Sequence, residues 1–316
     1  MESKVRILGD THLGCRFTNG VPLSRRGQRE EMIWQQFERS LWEHDQSYDL
    51  HVHLGDLFDA AVVPYDDILR AYHAYRSASE RFPNTTFIVL RGNHDLLRDL
   101  EKVSAFDLFA KLVEGLENVQ CVYEDPLVIG DHAFVGYTPI KSATELLSDD
   151  LKGVHTLFGH YDVQSFGNPV PNLVPTERAA ELGIEKIITG HVHKPETFTR
   201  DGVEVVVWGS MQPYAHGQEV DDSLYVTLTL DQLDGADLKD KCVRVRLAPG
   251  ESLDRDLDCL QLTILRQENE TVETPEVSLG DFNLDQIFKD AFTEAGVSAE
   301  QAEVVMNAYS NLRLSH

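Results

Sequence analysis

Five short apolar runs are the feature that most constrains how this chain folds. They are rich in residues that favour strands, and they occupy residues 5–8, 50–54, 87–90, 155–158 and 186–189. Between them lie stretches in which apolar residues recur at helical spacing, such as Ile33, Phe37 and Leu41. Strands that alternate with helices in this way are typical of a layered α/β domain, in which sites form at the carboxyl ends of the strands.

Each of the five runs ends beside glycine on Asp, Asn or His side chains. These residues are Asp10, His12, Asp56, Asn93, His94, His160, His191 and His193. Side chains two residues apart on an extended segment point the same way, so Asp10 and His12 are predicted to reach one point. The same argument applies to His191 and His193. Imidazole, carboxylate and amide ligands suit Mn, Fe or Zn, and so many ligands fit two ions that share a carboxylate.

The composition predicts a cytoplasmic globular protein. The 316-residue chain has a formal net charge of −25, which does not favour simple electrostatic adhesion to nucleic acid or anionic lipid. No apolar stretch is long enough to span a membrane, and the N-terminal residues lack the pattern of a signal peptide. The four cysteines are scattered and form no CxxC pair, which is typical of structural thiols in a reducing compartment.

The strand pattern continues after the fifth run and changes near residue 231. Four further apolar runs follow, at 203–209, 223–230, 242–247 and 257–265. The first two are predicted to be meandering antiparallel strands of the main domain. Turns rich in Asp and Gly separate the last two, which predicts a small β-rich appendage. The sequence therefore predicts a main domain over 1–230 and a small region over 231–275.

A tail over 276–316 follows an acidic linker and contains two predicted amphipathic helices. Their apolar stripes include Leu284, Phe288, Phe292, Val305 and Tyr309. A hairpin of this size does not bury both stripes against itself. The tail is therefore predicted either to fold back on the core of its own protein or to dock on a partner.

The strand-end residues resemble the calcineurin-like metallophosphoesterases, whose pattern is D-x-H, G-D, G-N-H-[DE], H and G-H-x-H. The resemblance implies a four-layer α-β-β-α sandwich, followed here by a small β-rich capping region and C-terminal helices. It also implies an enzyme that hydrolyses phosphoesters with two divalent metal ions, for which Mn²⁺ is the first expectation.

The same resemblance implies a role for each residue. Two groups would each hold one ion: Asp10, His12 and His193, and Asn93, His160 and His191. Asp56 would bridge the two ions. His94 would be the catalytic acid beside them.

Four stretches around the motifs carry a finer resemblance, namely residues 10–14, 55–59, 158–163 and 209–219. Within this superfamily they resemble the SbcD nuclease family, including its phage members. Leu13 follows His12, and Leu57-Phe58-Asp59-Ala60 follows Asp56, unlike the GD-x-H-G and GD-x-x-D-R-G patterns of protein phosphatases. The resemblance implies exonuclease or endonuclease activity in DNA repair or recombination. It also implies that the tail docks on an SbcC-type, SMC-like ATPase, and it leaves a homodimer open.

One stretch departs from the acidic composition of the chain. Residues 14–29 contain no acidic residue and four arginines, Arg16, Arg25, Arg26 and Arg29. Because this stretch follows His12 directly, the arginines are predicted to hold a DNA backbone near the metals. The alternative is a solvated turn whose arginines pair with the many acids of the chain.

Two other functions are open from the sequence. One is a small-molecule phosphodiesterase, for example one that acts on cyclic nucleotides without an ATPase partner. The other is a non-catalytic scaffold that the metals stabilise, although a scaffold has no need for His94.

Overall fold

The computed structural model describes residues 3–43, 48–99, 101–164, 170–221 and 223–266. The first sheet has four parallel strands in chain order: β1 (Val5–Leu8), β2 (Leu50–His53), β3 (Thr86–Leu90) and β4 (Val119–Val122). Three helices pack on one face of this sheet: α1 (Gln28–Trp42), α2 (Tyr65–Arg81) and α3 (Ala105–Val113). The first three predicted strands are therefore confirmed.

The second sheet has six strands in the order β5-β6-β7-β8-β10-β9. They are β5 (Leu127–Ile129), β6 (His132–Phe134), β7 (Thr156–His160), β8 (Lys186–Gly190), β9 (Glu196–Arg200) and β10 (Val203–Val207). Its four central strands are parallel, and β5 and β9 pair at its two edges in the antiparallel sense. Two short helices, α4 (Ala143–Leu146) and α5 (Thr176–Leu182), pack on its outer face.

Strand β3 shows how the layers meet. Phe87 and Val89 pack among the helices of the first sheet, whereas Ile88 and Leu90 pack against Phe158 and other side chains of the second sheet. Because both faces of the strand are buried, apolar residues follow one another without alternation. The order of the layers is helix, sheet, sheet, helix, so the predicted α-β-β-α sandwich is confirmed.

A third sheet of three parallel strands follows, and it corrects the predicted strand pairing. It contains β11 (Tyr225–Thr229), β12 (Cys242–Leu247) and β13 (Gln261–Arg266), in that order. Strand β10 pairs with β8 and β9, and not with β11, so the predicted antiparallel meander is wrong. Alternation along a segment identifies a strand but does not identify its neighbour. The third sheet thus includes a strand from the predicted main domain.

The third sheet has an apolar core of its own, which includes Val226, Leu233, Val243 and Val245. The predicted tail helices lie outside the described residues. Within the described part of the chain, every helix is too short or too polar to cross a lipid bilayer.

Candidate metal centre

The strand ends of the first two sheets meet at one place. The backbone N–H of His191 donates to Asp10 Oδ2 at 2.9 Å, and His160 Nδ1 lies 2.8 Å from the carbonyl oxygen of Leu54. These contacts join the loops after β1 and β2 to the ends of β7 and β8, and Asn93 joins the loop after β3 to the same ends. All eight predicted residues are thereby brought together: Asp10, His12, Asp56, Asn93, His94, His160, His191 and His193.

Three of these residues adopt a left-handed backbone that residues other than glycine rarely occupy. The φ angle is 43° at His12, 50° at Asp56 and 79° at His191. Such conformations cost about 1–3 kcal/mol each and persist chiefly at functional sites. They also change the predicted geometry, because the backbone at His191 is not extended. His191 and His193 belong to two different groups of ligands, as the family resemblance implies, so the prediction from spacing alone that they reach one point is wrong.

The first group contains Asp10, His12 and His193. His12 Nε2 lies 3.0 Å from His193 Nε2, and His193 Nε2 lies 3.7 Å from Asp10 Oδ2. One potential ligand atom from each residue lies within 4.8 Å of the other two. The spacing therefore suits one metal ion held by a carboxylate and two imidazoles.

The second group contains His160 and His191, with Asn93 and Asp56 beside them. Asn93 Oδ1 lies 2.9 Å from His160 Nε2 and 2.8 Å from His191 Nδ1. Asp56 Oδ2 lies 3.4 Å from His160 Nε2 and also 3.8 Å from His12 Nε2 in the first group. Asp56 is thus the carboxylate that stands between the two groups.

Each imidazole of the second group has an inner nitrogen, which faces Asn93, and an outer nitrogen, which points away from it. The partners of the outer nitrogens show why the second group suits a cation. His160 Nδ1 faces the carbonyl oxygen of Leu54, and His191 Nε2 lies 2.9 Å from Asp162 Oδ1. Both of these oxygens only accept, so the outer ring nitrogens carry the protons. In the neutral form that binds a metal ion, the inner nitrogens of both rings present lone pairs toward Asn93 Oδ1, which also accepts. A metal ion complements such converging acceptors.

A buried oxygen in the first group indicates that this group also suits a cation. Asp10 is fully buried, and its Oδ1 has no hydrogen-bond partner among the described residues. An acceptor left in this state destabilises a protein by about 1–3 kcal/mol. A bound cation would satisfy it.

The charges of the site are strongly coupled. Burial raises the pKa of Asp10 to about 6. Burial also acts to raise the pKa of Asp56, but the charge and hydrogen bond of His160 hold that pKa below its usual range. Burial acts to lower the pKa of His160, but the carboxylates of Asp56 and Asp10 raise it to about 9. Binding of a metal ion would therefore release a proton from the pair formed by Asp56 and His160.

His94 lies beside the two groups and is exposed. Its Nδ1 lies 2.6 Å from the carbonyl oxygen of Asp59, and its backbone N–H donates to Asp56 Oδ1 at 2.8 Å. Its ring meets the ring of His12 edge-on, with centroids 4.7 Å apart. The imidazole is thus fixed next to the ligands and open to solvent.

Four residues that support the ligands are absent from the predicted site. The carboxylate of Asp59 lies 3.4 Å from His12 Nδ1, and Asp162 accepts from His191. Buried Asp95 accepts three backbone hydrogen bonds, from residues 57, 58 and 92. The ring of Tyr214 packs against His12 with centroids 5.1 Å apart. Each of these residues lies in or near a recognised motif, but its role depends on contacts that the motif does not specify.

Gly92 offers a test of the position of Asp56. A Cβ added at Gly92 would lie 2.1 Å from Asp56 Oδ1 and 2.2 Å from its backbone nitrogen. We expect Gly92→Ala to displace this carboxylate and lower the ratio of bound metal to protein, measured by equilibrium dialysis. Gly115→Ala is the matched control, because a Cβ there meets nothing within 4 Å. An unchanged ratio in Gly92→Ala would show that Asp56 is not a ligand.

The structure gives Arg29 a role other than the predicted one. Arg29 is 2% exposed, and its guanidinium donates to the side chain of Gln212 and, at 2.7 Å, to the carbonyl oxygen of Pro213. It also lies over the rings of Phe17 and Tyr225. The prediction that Arg29 contacts DNA is therefore wrong, because the side chain joins the segments of its own protein.

The other three arginines of residues 14–29 differ in how free their side chains are to contact DNA. Arg16 pairs with Asp67 at 2.8 Å, and Arg25 pairs with Asp258. Both contacts agree with the alternative of arginines that neutralise acids of the chain. Arg26 is exposed and has no partner among the described residues. Contact with DNA stays a prediction for these three side chains. The predicted partner-binding residues of the tail lie outside the described residues.

Comparison with known proteins finds one family. The sequence profile described as calcineurin-like phosphoesterase matches residues 3–195, which is more than half of the chain. Among solved structures, the chain is similar to the crystal structure of TT1561 of Thermus thermophilus, with 11% identity and a TM-score of 0.45. That similarity covers 67% of this chain and 91% of the other. No curated protein matches the sequence.

Proposed function

The chain belongs to the calcineurin-like phosphoesterase family, and from this premise we propose that it is a two-metal phosphodiesterase that cleaves DNA. In this proposal it is the nuclease subunit of an SbcCD-like repair or recombination complex. Family membership indicates metal-dependent hydrolysis of a phosphoester. The observation that carries the proposal is the convergence of buried Asp and His ligand atoms beside the exposed ring of His94.

We propose that the residues of the two ligand groups hold the ions. They are Asp10, His12 and His193 for one ion, and Asn93, His160 and His191 for the other. Asp56 would contact both. When bound, the two ions supply an activated water and stabilise the attacking and leaving oxygens of an in-line displacement at phosphorus. Mixed imidazole and oxygen ligands support Mn²⁺ as the native metal.

His94 is placed to act on the leaving oxygen. The Asp59 carbonyl oxygen accepts from Nδ1, so the ring is oriented with Nε2 free for a substrate. The hydrogen bond from the His94 backbone to Asp56 fixes the position of this ring relative to the carboxylate that would contact both ions. When the ring is protonated on both nitrogens, Nε2–H can give its proton to the leaving oxygen as the bond to phosphorus breaks, while Nδ1–H keeps its hydrogen bond to Asp59.

The openness of the site supports a polymeric substrate. His94 is exposed, and the side chain of Asp59 is 44% exposed. Sites for small molecules usually enclose most of the surface of their ligand. A phosphodiester within a long chain needs access from the side, which an exposed His94 allows. The motifs shared with the SbcD family support DNA as that polymer.

The deciding experiment is a substrate panel with the full-length protein and Mn²⁺. Linear duplex DNA, single-stranded DNA, cyclic nucleotides and a chromogenic diester would be compared, with and without an SbcC-type ATPase. We expect cleavage of DNA and stimulation by the ATPase. Hydrolysis of cyclic nucleotides without cleavage of DNA would establish the small-molecule alternative instead. No hydrolysis of any diester would favour the scaffold.

The tail supports the proposed ATPase partner through its sequence. Residues 251–316 carry far more acidic than basic side chains, so they are a poor surface for DNA. We expect deletion of residues 276–316 to leave metal binding intact and to abolish association with the ATPase, measured by co-purification. Phe288 and Phe292 are the proposed anchors, each worth about 2 kcal/mol of binding free energy.

A point substitution gives the matched control for this deletion. Lys289 lies off the apolar stripe, so Lys289→Ala should bind the ATPase as the unaltered protein does, whereas Phe288→Ala should bind more weakly. A truncated protein that aggregates, or that loses several degrees of melting temperature, would show that the stripes cover the core of their own protein.

A further inference from the structure

We propose that Asp162 is a positioning residue that orients His191 toward the second metal and thereby sets the affinity of that site alone. The inference rests on the two-metal function proposed above, and it names the residue that orders one half of the centre. Asp162 follows the ligand His160 by two residues, in the segment that leaves β7.

The two nitrogens of His191 face different partners. Nε2 lies 2.9 Å from Asp162 Oδ1, and Nδ1 lies 2.8 Å from Asn93 Oδ1 in the second group. An ionised carboxylate only accepts, so it selects the tautomer with the proton on Nε2. Nδ1 then offers its lone pair to the position that a metal ion would take. Asp162 is on the far side of the ring and is not itself a ligand.

The backbone of Asp162 is held on both sides, so its carboxylate has a fixed origin. Its N–H donates to the carbonyl oxygen of Asn172 at 3.0 Å, and its own carbonyl oxygen accepts from the N–H of Val174 at 2.8 Å. Residues 162 and 173 form an isolated parallel bridge at this point. A side chain on such a support orients its partner better than one on a free loop.

The outer partners of the other imidazoles explain why the effect is confined to one ion. His160, in the same group, is held by the backbone carbonyl of Leu54, which no side-chain substitution removes. His12, in the first group, has the carboxylate of Asp59 beside its Nδ1. Within the second group, His191 is therefore the imidazole whose outer partner is a replaceable side chain.

The test measures binding of Mn²⁺ alone to the full-length protein by equilibrium dialysis. We expect the unaltered protein to bind two ions, and Asp162→Leu to keep one and bind the other about 10- to 100-fold more weakly. Asp162→Asn should retain most of the affinity, because an amide oxygen still accepts from Nε2–H. The matched control is Glu185→Leu, since Glu185 lies 3.0 Å from His155 Nε2 in an exposed pair outside both ligand groups.

Electron paramagnetic resonance gives a second readout that is independent of turnover. The unaltered protein should show a spin-coupled Mn²⁺ pair, and Asp162→Leu should show a single-ion signal at the same Mn²⁺ concentration. Two tightly bound ions in Asp162→Leu, an equal loss at both sites, or an asparagine variant as weak as the leucine variant would each overturn the inference.

Folding is checked by thermal melting of each variant. Should Asp162→Leu not fold, Asp162→Ala takes its place in the same measurements, and failure of both to fold would assign Asp162 to folding and overturn the inference. If the unaltered protein does not bind two ions, the proposed two-metal function fails and the inference with it. Two ions bound equally by the unaltered protein and the variant overturn the inference alone.

Discussion

Replacing His94 by glutamine should lower the turnover of a phosphodiester about 10²- to 10⁴-fold, the usual contribution of a positioned acid or base. Both metal ions should remain bound, because the ring of His94 faces the carbonyl oxygen of Asp59 and belongs to neither of the two ligand groups, and its own cluster with His12 and Asp59 is partly exposed. Glutamine has similar reach but no group that donates a proton near neutral pH. The measurement is turnover with a chromogenic diester, paired with metal content.

The matched control for this substitution is His155→Gln. His155 is also a largely exposed histidine, but it pairs with Glu185 outside both ligand groups. This control should turn over substrate as the unaltered protein does. Loss of a metal ion from His94→Gln would assign His94 to the ligands. Unaltered turnover would remove it from the catalytic residues.

Removal of the metals should reduce hydrolysis to the background rate, and addition of Mn²⁺ should restore it. Asp10 Oδ1 is buried and has no hydrogen-bond partner among the described residues, and the ligand atoms beside it converge on the position of a cation. Metal should also stabilise the fold. At a free concentration 100 times the Kd, each site adds about 2.7 kcal/mol to the free energy of unfolding. The melting temperature should therefore rise when Mn²⁺ is added to the metal-free protein.

The variant Asp56→Ala distinguishes binding of Mn²⁺ at this centre from stabilisation by Mn²⁺ bound elsewhere on the protein. Asp56 is the carboxylate near both His12 and His160. Its loss should weaken metal binding at both sites and so reduce the rise in melting temperature that Mn²⁺ causes. Full hydrolysis in excess EDTA would exclude the two-metal mechanism. A rise of equal size in Asp56→Ala would place the ions elsewhere on the protein.

The predicted strands show how far local patterns reach. The run that contains Ile88 and Leu90 is a buried strand because its residues favour strands and both of its faces are covered. Its end was recognisable because glycine and Asn93 follow at once. These properties belong to a few neighbouring residues, so the sequence reveals them without knowledge of the fold.

The errors share one physical cause. The partner of β11 and the burial of Arg29 each depend on segments that are distant in the chain. Arg29, for example, donates to Gln212, which is 183 residues away. Neither propensity nor spacing carries information on such contacts. They are set by how the sheets and loops pack.

The sequence by itself determined the layered α/β class and the eight residues at the ends of its strands, because apolar runs and the motifs beside them are local features. Only the tertiary structure decided which partner orients each ring. Asp162 and His191 are 29 residues apart, and they meet because β7 and β8 are neighbours in one sheet. Contacts of this kind arise from packing between elements, and packing divides the ligands into two groups.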